Sequence, residues 1–223
     1  MLDERLTLAA ALYDRCDLGA DIGTDHAHLP CCLLETGVCR RMILSDVSPK
    51  AFARAQAEVR RRGLEERTRL ICASGLDALV EEAQCVSVMG MGGRTIAEIL
   101  RGGQEKLRGA ALVLSAHTDQ ADVRRAVMDI GYTIEREELC RAAGRFYVFW
   151  KARPGKIAYD EEALDMGPLL MKTDSPLLRE YLAFRAGVTR EKLAGLLSAA
   201  KVDEDAVAQA QARLTRYLRA MED

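Results

Sequence analysis

The chain has 223 residues, is 49% hydrophobic and carries a formal net charge of −2, which suits one full-size core with an appendage. No run approaches the ~18 consecutive apolar residues of a membrane span, and no secretory signal precedes Leu2-Asp3-Glu4-Arg5. Seven scattered cysteines, an odd number, argue against a secreted disulfide framework, so a cytoplasmic protein with no membrane partner is expected.

Residues 3–15 read as an amphipathic helix with Leu6, Ala9, Ala10 and Tyr13 on one face. A strand at 18–22 and a helix from about 26 to 36, stopping near Gly37, follow. A second strand covers 41–45, and Ser48-Pro49 opens a helix to about 62, because serine caps and proline suits the first turn. Strands at 69–73, 85–89 and 111–115 alternate with helices near 76–82, 95–100 and 119–130. Two further strands, 132–139 and 145–151, are joined through Ala142-Ala143-Gly144 and read as a hairpin. Arg153-Pro154-Gly155 marks a boundary, which gives a domain at 1–154 and an extension at 155–223. The extension reads as two helical arms, 175–200 and 203–221. Leu177, Leu178, Tyr181, Leu182 and Phe184 line the first; Val207, Ala210, Leu214, Tyr217 and Leu218 line the second. A helical hairpin or short coiled coil is expected from them.

The first strand ends in Ala20-Asp21-Ile22-Gly23-Thr24-Asp25-His26, and the second ends in Leu44-Ser45-Asp46. A glycine after the first strand and an acid after the second is the layout of a doubly wound nucleotide site, with the acid on the ribose hydroxyls. A pyrophosphate would need G-x-G-x-x-G so that its charge meets a bare helix N-terminus. Here Thr24, Asp25 and His26 fill those places, and Asp25 would repel a phosphate. The expected ligand is therefore a nucleoside cofactor without phosphate, S-adenosylmethionine, and the expected class a methyltransferase. His26, His28, Cys31 and Cys32 look like a metal set on paper, but helical side chains two apart do not face each other, and no metal is expected. Arginine outnumbers lysine 25 to 7; that suits phosphate contacts but equally suits a GC-rich codon usage, and it decides nothing alone.

The string Asp21-Ile22-Gly23-Thr24-Asp25-His26-Ala27-His28-Leu29-Pro30, with the later Gly90-Met91-Gly92-Gly93, resembles the bacterial TrmK family. Its members are tRNA N1-adenosine methyltransferases acting at position 22. The resemblance extends to the Arg5-Leu6 helix, the Gly144-Arg145-Phe146-Tyr147-Val148 hairpin and the helical extension. It implies a Rossmann-like α/β class I methyltransferase sheet of seven strands, the last hairpin antiparallel, with a C-terminal helical coiled-coil hairpin. It also implies a tRNA partner, and a monomer is expected. Three departures stand out. Ser74 replaces an acid expected to hold the cofactor's adenine amino group, Ser115-Ala116-His117 replaces a Q-P-N string facing the target base, and the extension is short.

On this reading Asp21 orders the loop and the cofactor's amino group, Gly23 lets the methionine portion pass, and Asp46 takes both ribose hydroxyls. Val47 covers one adenine face, Ser74, Gly75 and Leu76 meet its edge and other face, and Gly90 completes the cofactor side. Asp25 accepts a hydrogen bond from the target base's amino group, unless it serves only as a helix N-cap, and His26 orients Asp25 or touches the base. Gly92, Gly93, Arg94, His117 and Arg145 are expected on the substrate side, with Arg124, Arg125 and Arg141 as further phosphate contacts. A methyltransferase acting on another substrate, or a cofactor-binding RNA module without catalysis, remains open at this point.

Overall fold

The computed structural model describes residues 3–199 and 201–222. In chain order, α1 (Glu4–Leu12) leads into β1 (Cys16–Ile22), α2 (His28–Glu35), β2 (Cys39–Ser45) and α3 (Pro49–Arg61). Then come β3 (Thr68–Ile71), β4 (Cys85–Met91), α4 (Gly93–Gly102), α5 (Gln104–Leu107), β5 (Ala111–Ala116) and α6 (Gln120–Asp129). The hairpin strands are β6 (Tyr132–Ala142) and β7 (Arg145–Pro154).

These strands form one seven-stranded sheet of order β3-β2-β1-β4-β5-β7-β6. Pairings among the first five are parallel, and β7 runs antiparallel to both β5 and β6. This is the doubly wound, Rossmann-like sheet of seven strands with an antiparallel last hairpin that the sequence leads one to expect. The buried residues of the central strands are mostly apolar, as strands covered on both faces require: Ile22, Ile43, Leu44, Val86, Val88, Val113 and Leu114 are buried, with Asp21, Ser45, Ser87 and Ser115 as the polar exceptions. The hairpin turns on Ala143 and Gly144, both at positive φ, the two-residue geometry that matches the twist of the flanking strands.

Several boundaries differ from the sequence reading, each for a local reason. The first helix stops at Leu12, where Tyr13 turns extended and buries its ring. β1 begins two residues early, since Cys16 already pairs with Cys39 across the sheet. The short helix expected near 76–82 is a single 3-10 turn, Gly75–Ala78. Both hairpin strands outrun their expected ends, carried through a register irregularity between Ile134 and Arg136.

The chain divides into two compact units, between Ala158 and Tyr159. The second is helical: α7 (Glu161–Met166), α8 (Pro176–Leu197) and α9 (Glu204–Glu222). Asp160 caps α7 through the amide of Ala163 (2.8 Å), and Asp203 caps α9 through that of Ala206 (3.0 Å). α8 and α9 pack on each other with Leu178, Tyr181, Leu182, Ala210 and Tyr217 buried. Phe184, expected on the packed face, is half exposed instead, one position round the helix from that stripe. Asp165 of α7 accepts from Arg213 (2.6 Å) and Arg216 (2.7 Å) of α9, which ties the short helix down.

Arg124 is a correction to the sequence reading. It is 1% exposed inside the first unit, where its Nε donates to Glu137 (2.6 Å) beside the Trp150 indole N–H, which donates to the same oxygen (2.7 Å). An arginine in that position neutralises a buried carboxylate and cannot meet RNA. Glu137→Ala strands that guanidinium in the core, and chemical denaturation should register a loss of about 3–5 kcal/mol. An unchanged unfolding midpoint would refute the pairing.

Candidate active site

A cleft of about 910 Å³ opens at the carboxyl ends of the parallel strands. It lies where the chain, having built β2 and β3 on one side of β1, returns to place β4 on the other. That reversal is where open α/β sheets bind ligands. The loop after β1 forms its floor. Gly23 takes φ +77°, a left-handed conformation that favours glycine, and the Met91 methyl packs only 2.3 Å from where a Cβ would stand. The amides of Gly23 and Thr24 both donate to the Ser45 carbonyl (2.8 and 2.9 Å), which fastens the loop to the end of β2. Beside it, Asp46 accepts from the Ser48 amide (2.9 Å) and from the Asp25 amide (3.3 Å).

Three carboxylates meet here in different settings. Asp21 is buried, 5% exposed, with the Ser87 hydroxyl donating to it, while the Tyr13 hydroxyl donates to Ser87 (2.6 Å). Burial pushes the Asp21 carboxyl up, and the Ser87 hydrogen bond only partly opposes this. Asp25 sits at φ +41°, unusual for a residue with a side chain, and its carboxylate is gripped by the Arg54 guanidinium of α3 (Nε at 2.8 Å). His26 Nε2 lies 3.6 Å from the same carboxylate. Asp25 does not cap α2, because the cap position is Ala27, left-handed and without a side-chain bond. Its carboxylate lines the cleft together with Arg54 and His26.

Most expected site residues come together. Asp21, Gly23, Asp25, His26, Asp46, Val47, Ser74, Gly75, Leu76, Gly90 and His117 all line the cleft. Val47 is 68% exposed, an apolar side chain offered at the mouth. Gly92, Gly93, Arg94 and Arg145 do not line it. Gly93 serves packing: a Cβ on it would fall 2.2 Å from the Asp119 carbonyl oxygen, so the loops after β4 and β5 are in backbone contact there. Arg94 is exposed and lies 3.6 Å from Asp122, to which Arg125 also binds (3.1 Å), and Arg141 rests over Phe146 at 5.5 Å. Sequence reading missed Arg54, which no spacing rule marks, and the wall formed by Arg5, Tyr147 and Phe149.

The residues fit a nucleoside cofactor carrying an ammonium group. Asp46 presents a carboxylate at the end of β2, where a ribose diol would be held, and the loop offers no glycine-rich cradle for phosphate. Asp21 is a buried carboxylate whose partner is a neutral hydroxyl, and among the described ion pairs none involves it. An incoming ammonium would supply the missing charge.

Comparison with known proteins agrees. Residues 2–150 match the family model described as a methyltransferase domain. The tRNA (adenine(22)-N(1))-methyltransferase of Bacillus subtilis (strain 168) is 30% identical over 173 residues, 76% of this chain and 73% of that protein. The chain belongs to this methyltransferase family. Sp1610 of Streptococcus pneumoniae, described as a candidate tRNA (m1A22) methyltransferase, superposes with a TM-score of 0.88 at 26% identity over 99% of this chain and all of that one. It has also been solved with S-adenosyl-L-methionine. Bacillus subtilis TrmK, at 22% identity and TM-score 0.87 over 99% of both chains, shares the fold.

Because burial raises the Asp21 carboxyl, its ionised form costs the unliganded protein stability at pH values above that raised value, and the cost fades as pH falls and the group protonates. Asp21→Asn should therefore raise the apo melting temperature at pH 8, at about 2–4 °C per kcal/mol recovered, and raise it less at pH 5. The same variant should bind S-adenosylmethionine more weakly by calorimetry. A lowered melting temperature at pH 8 would contradict the assignment.

Proposed function

We propose that this chain transfers the methyl group of S-adenosylmethionine to N1 of an adenosine in tRNA, at position 22, acting as a monomer in the cytoplasm. The observation that carries the reading is the loop Asp21–His26, fastened to Asp46 and opening with His117 on one cleft, in a chain 30% identical to an enzyme named for that reaction. Among the described residues no helix is long and apolar enough to cross a membrane.

Bound S-adenosylmethionine supplies an electrophilic methyl on a sulfonium. Asp46 would hold its ribose hydroxyls, Asp21 its ammonium, and Val47 and Leu76 the two faces of its adenine. The target N1 is unprotonated at neutral pH, so its lone pair needs no strong base. What the protein adds is chiefly alignment of nucleophile and methyl, an effect worth about 7–11 kcal/mol when complete. N1 lies on the pairing edge of the base, so the adenosine must be exposed or flipped at a cost of a few kcal/mol. As N1 acquires the methyl, positive charge spreads to the exocyclic amino group. Asp25, held by Arg54 and flanked by His26, accepts a hydrogen bond from that group and stabilises the charge where it develops.

Mass spectrometry of nucleosides from unmodified tRNA incubated with protein and S-adenosylmethionine tests the reading; N1-methyladenosine is the expected product. Asp25→Ala should lower turnover about 10²–10³-fold, the usual loss on removing one group that stabilises transition-state charge, while sparing cofactor affinity. Asp46→Ala should lose cofactor affinity first. Cofactor binding with no methylated nucleoside would favour a non-catalytic RNA-binding module, and equal loss of cofactor affinity in both variants would sink the division of roles.

A further inference from the structure

The wall of the cleft remote from Asp46 has a chemistry that the reading above leaves unused. It is built from three elements: Arg5 of α1, Ser115 of β5 with His117 just beyond it, and Tyr147 and Phe149 of β7, all lining the cleft. Antiparallel pairing sets Ser115 opposite Phe149 and Ala116 opposite Val148, so His117 falls opposite Tyr147 as the register continues. Side chains two apart on a strand share a face, and Arg145, Tyr147 and Phe149 therefore project together.

The rings meet edge to face. The His117 and Tyr147 centroids are 6.2 Å apart with their planes at 74°, and the Arg5 guanidinium lies 5.4 Å from the Tyr147 centroid. The His117 amide donates to the Met91 carbonyl (3.0 Å), which fixes that ring relative to the loop after β4. Partial burial, then Arg5 and Arg145, push the His117 imidazole below its ordinary value, which favours the neutral ring. The result is an aromatic pair with two guanidinium groups nearby. Phe149, 1% exposed, is the apolar floor.

A flat, nearly neutral ring flanked by anions is what such a wall accepts: a single nucleotide, its base on the aromatic pair and its phosphates at the arginines. Distance separates this wall from the cofactor's ribose end. β2 and β7 are four strand spacings apart in the sheet, roughly 19 Å at about 4.8 Å each, enough for a nucleoside cofactor and a second base side by side.

We propose that Tyr147, with His117 at its edge, is the stacking platform for the flipped target adenine, and that Arg5 and Arg145 hold the phosphates flanking it. The inference rests on the methyltransferase reading above and adds the residues that receive the RNA. The tyrosine face also suits the product, since a base methylated at N1 is cationic and is attracted to an aromatic quadrupole.

Tyr147→Leu tests it, because leucine keeps apolar bulk and removes the π-face. With unmodified tRNA as substrate, kcat/KM should fall by about 5- to 150-fold, the equivalent of one stacked base. S-adenosylmethionine affinity by calorimetry should stay within about two-fold of that of the unsubstituted enzyme. Tyr147→Phe should recover most of the loss. Arg5→Gln should raise KM for tRNA more than it lowers kcat, and reduce the slope of log affinity against log salt by about 0.7–0.9. Undiminished kcat/KM in Tyr147→Leu overturns the proposal, and so does a parallel loss of cofactor affinity, which would give the ring to the cofactor. If Tyr147→Leu does not fold, Arg5→Gln and Arg145→Gln decide, and wild-type KM and salt slope in both overturn it. If the unsubstituted enzyme makes no N1-methyladenosine, the methyltransferase reading itself has failed and the subsite falls with it.

Discussion

The carbonyl of Ser45, at the last residue of β2, accepts two hydrogen bonds from the loop after β1, from Gly23 and Thr24. Cofactor-side geometry depends on this one acceptor. It fixes the turn at the height of the sheet edge and brings the Asp25 amide to Asp46, so the acid at the end of β2 and the acid in the loop share a single backbone unit. The arrangement is possible because Gly23 leaves the Met91 methyl room to pack directly on the backbone. The loop is thus clamped from β2 on one side and covered from β4 on the other. A phosphate cradle would need free, outward-pointing amides; here two of those amides are spent on structure.

Charge follows from the same geometry. Asp21, Asp25 and Asp46 crowd one end of the cleft, and the described cation bound directly to any of them at hydrogen-bond distance is Arg54, on Asp25. Asp46 is satisfied by backbone amides and Asp21 by a serine hydroxyl. Burial raises the Asp21 carboxyl, the Ser87 hydrogen bond opposes the rise, and the charge of Asp46 adds to it. A ligand bearing an ammonium and a sulfonium offsets that negative charge, whereas a phosphate ligand would add to it. In the proposed function, the carboxylate whose burial costs the empty protein stability is the one that meets the cofactor's ammonium.

Much of this was legible in the chain. The β1 and β2 ends were readable because glycine and acid spacing reports backbone constraints, and the alternation of apolar runs reports a sheet covered on both faces. Helix ends were readable where a side chain makes the cap, as at Ser48-Pro49 and Asp203. Boundaries failed where pairing decides: Cys16 joins β1 only because Cys39 lies opposite it. Arg124 was misplaced because composition cannot distinguish an arginine neutralising a buried glutamate from one facing solvent. Arg54 and the Arg5–Tyr147 contact were invisible for a related reason. They join residues 29 and 142 positions apart, and only the folded sheet sets those separations to a few ångströms.

The substrate side repeats the device used on the cofactor side. The Gly93 amide donates to the Thr118 carbonyl (3.0 Å) and the His117 amide to the Met91 carbonyl (3.0 Å), so the loops after β4 and β5 are bonded in both directions. Gly93 can make this approach only without a Cβ, which would collide with backbone rather than with a side chain able to yield. The glycines of Gly90-Met91-Gly92-Gly93 therefore divide their work. Gly90, at φ +78°, bends the end of β4 beside the cleft, and Gly93 joins that bend to the segment carrying His117. Neither needs to touch a base to govern where one can lie. In the proposed function an RNA base enters between these two loops, and the backbone hydrogen bonds that set their separation supply the alignment a reaction with no strong base depends on.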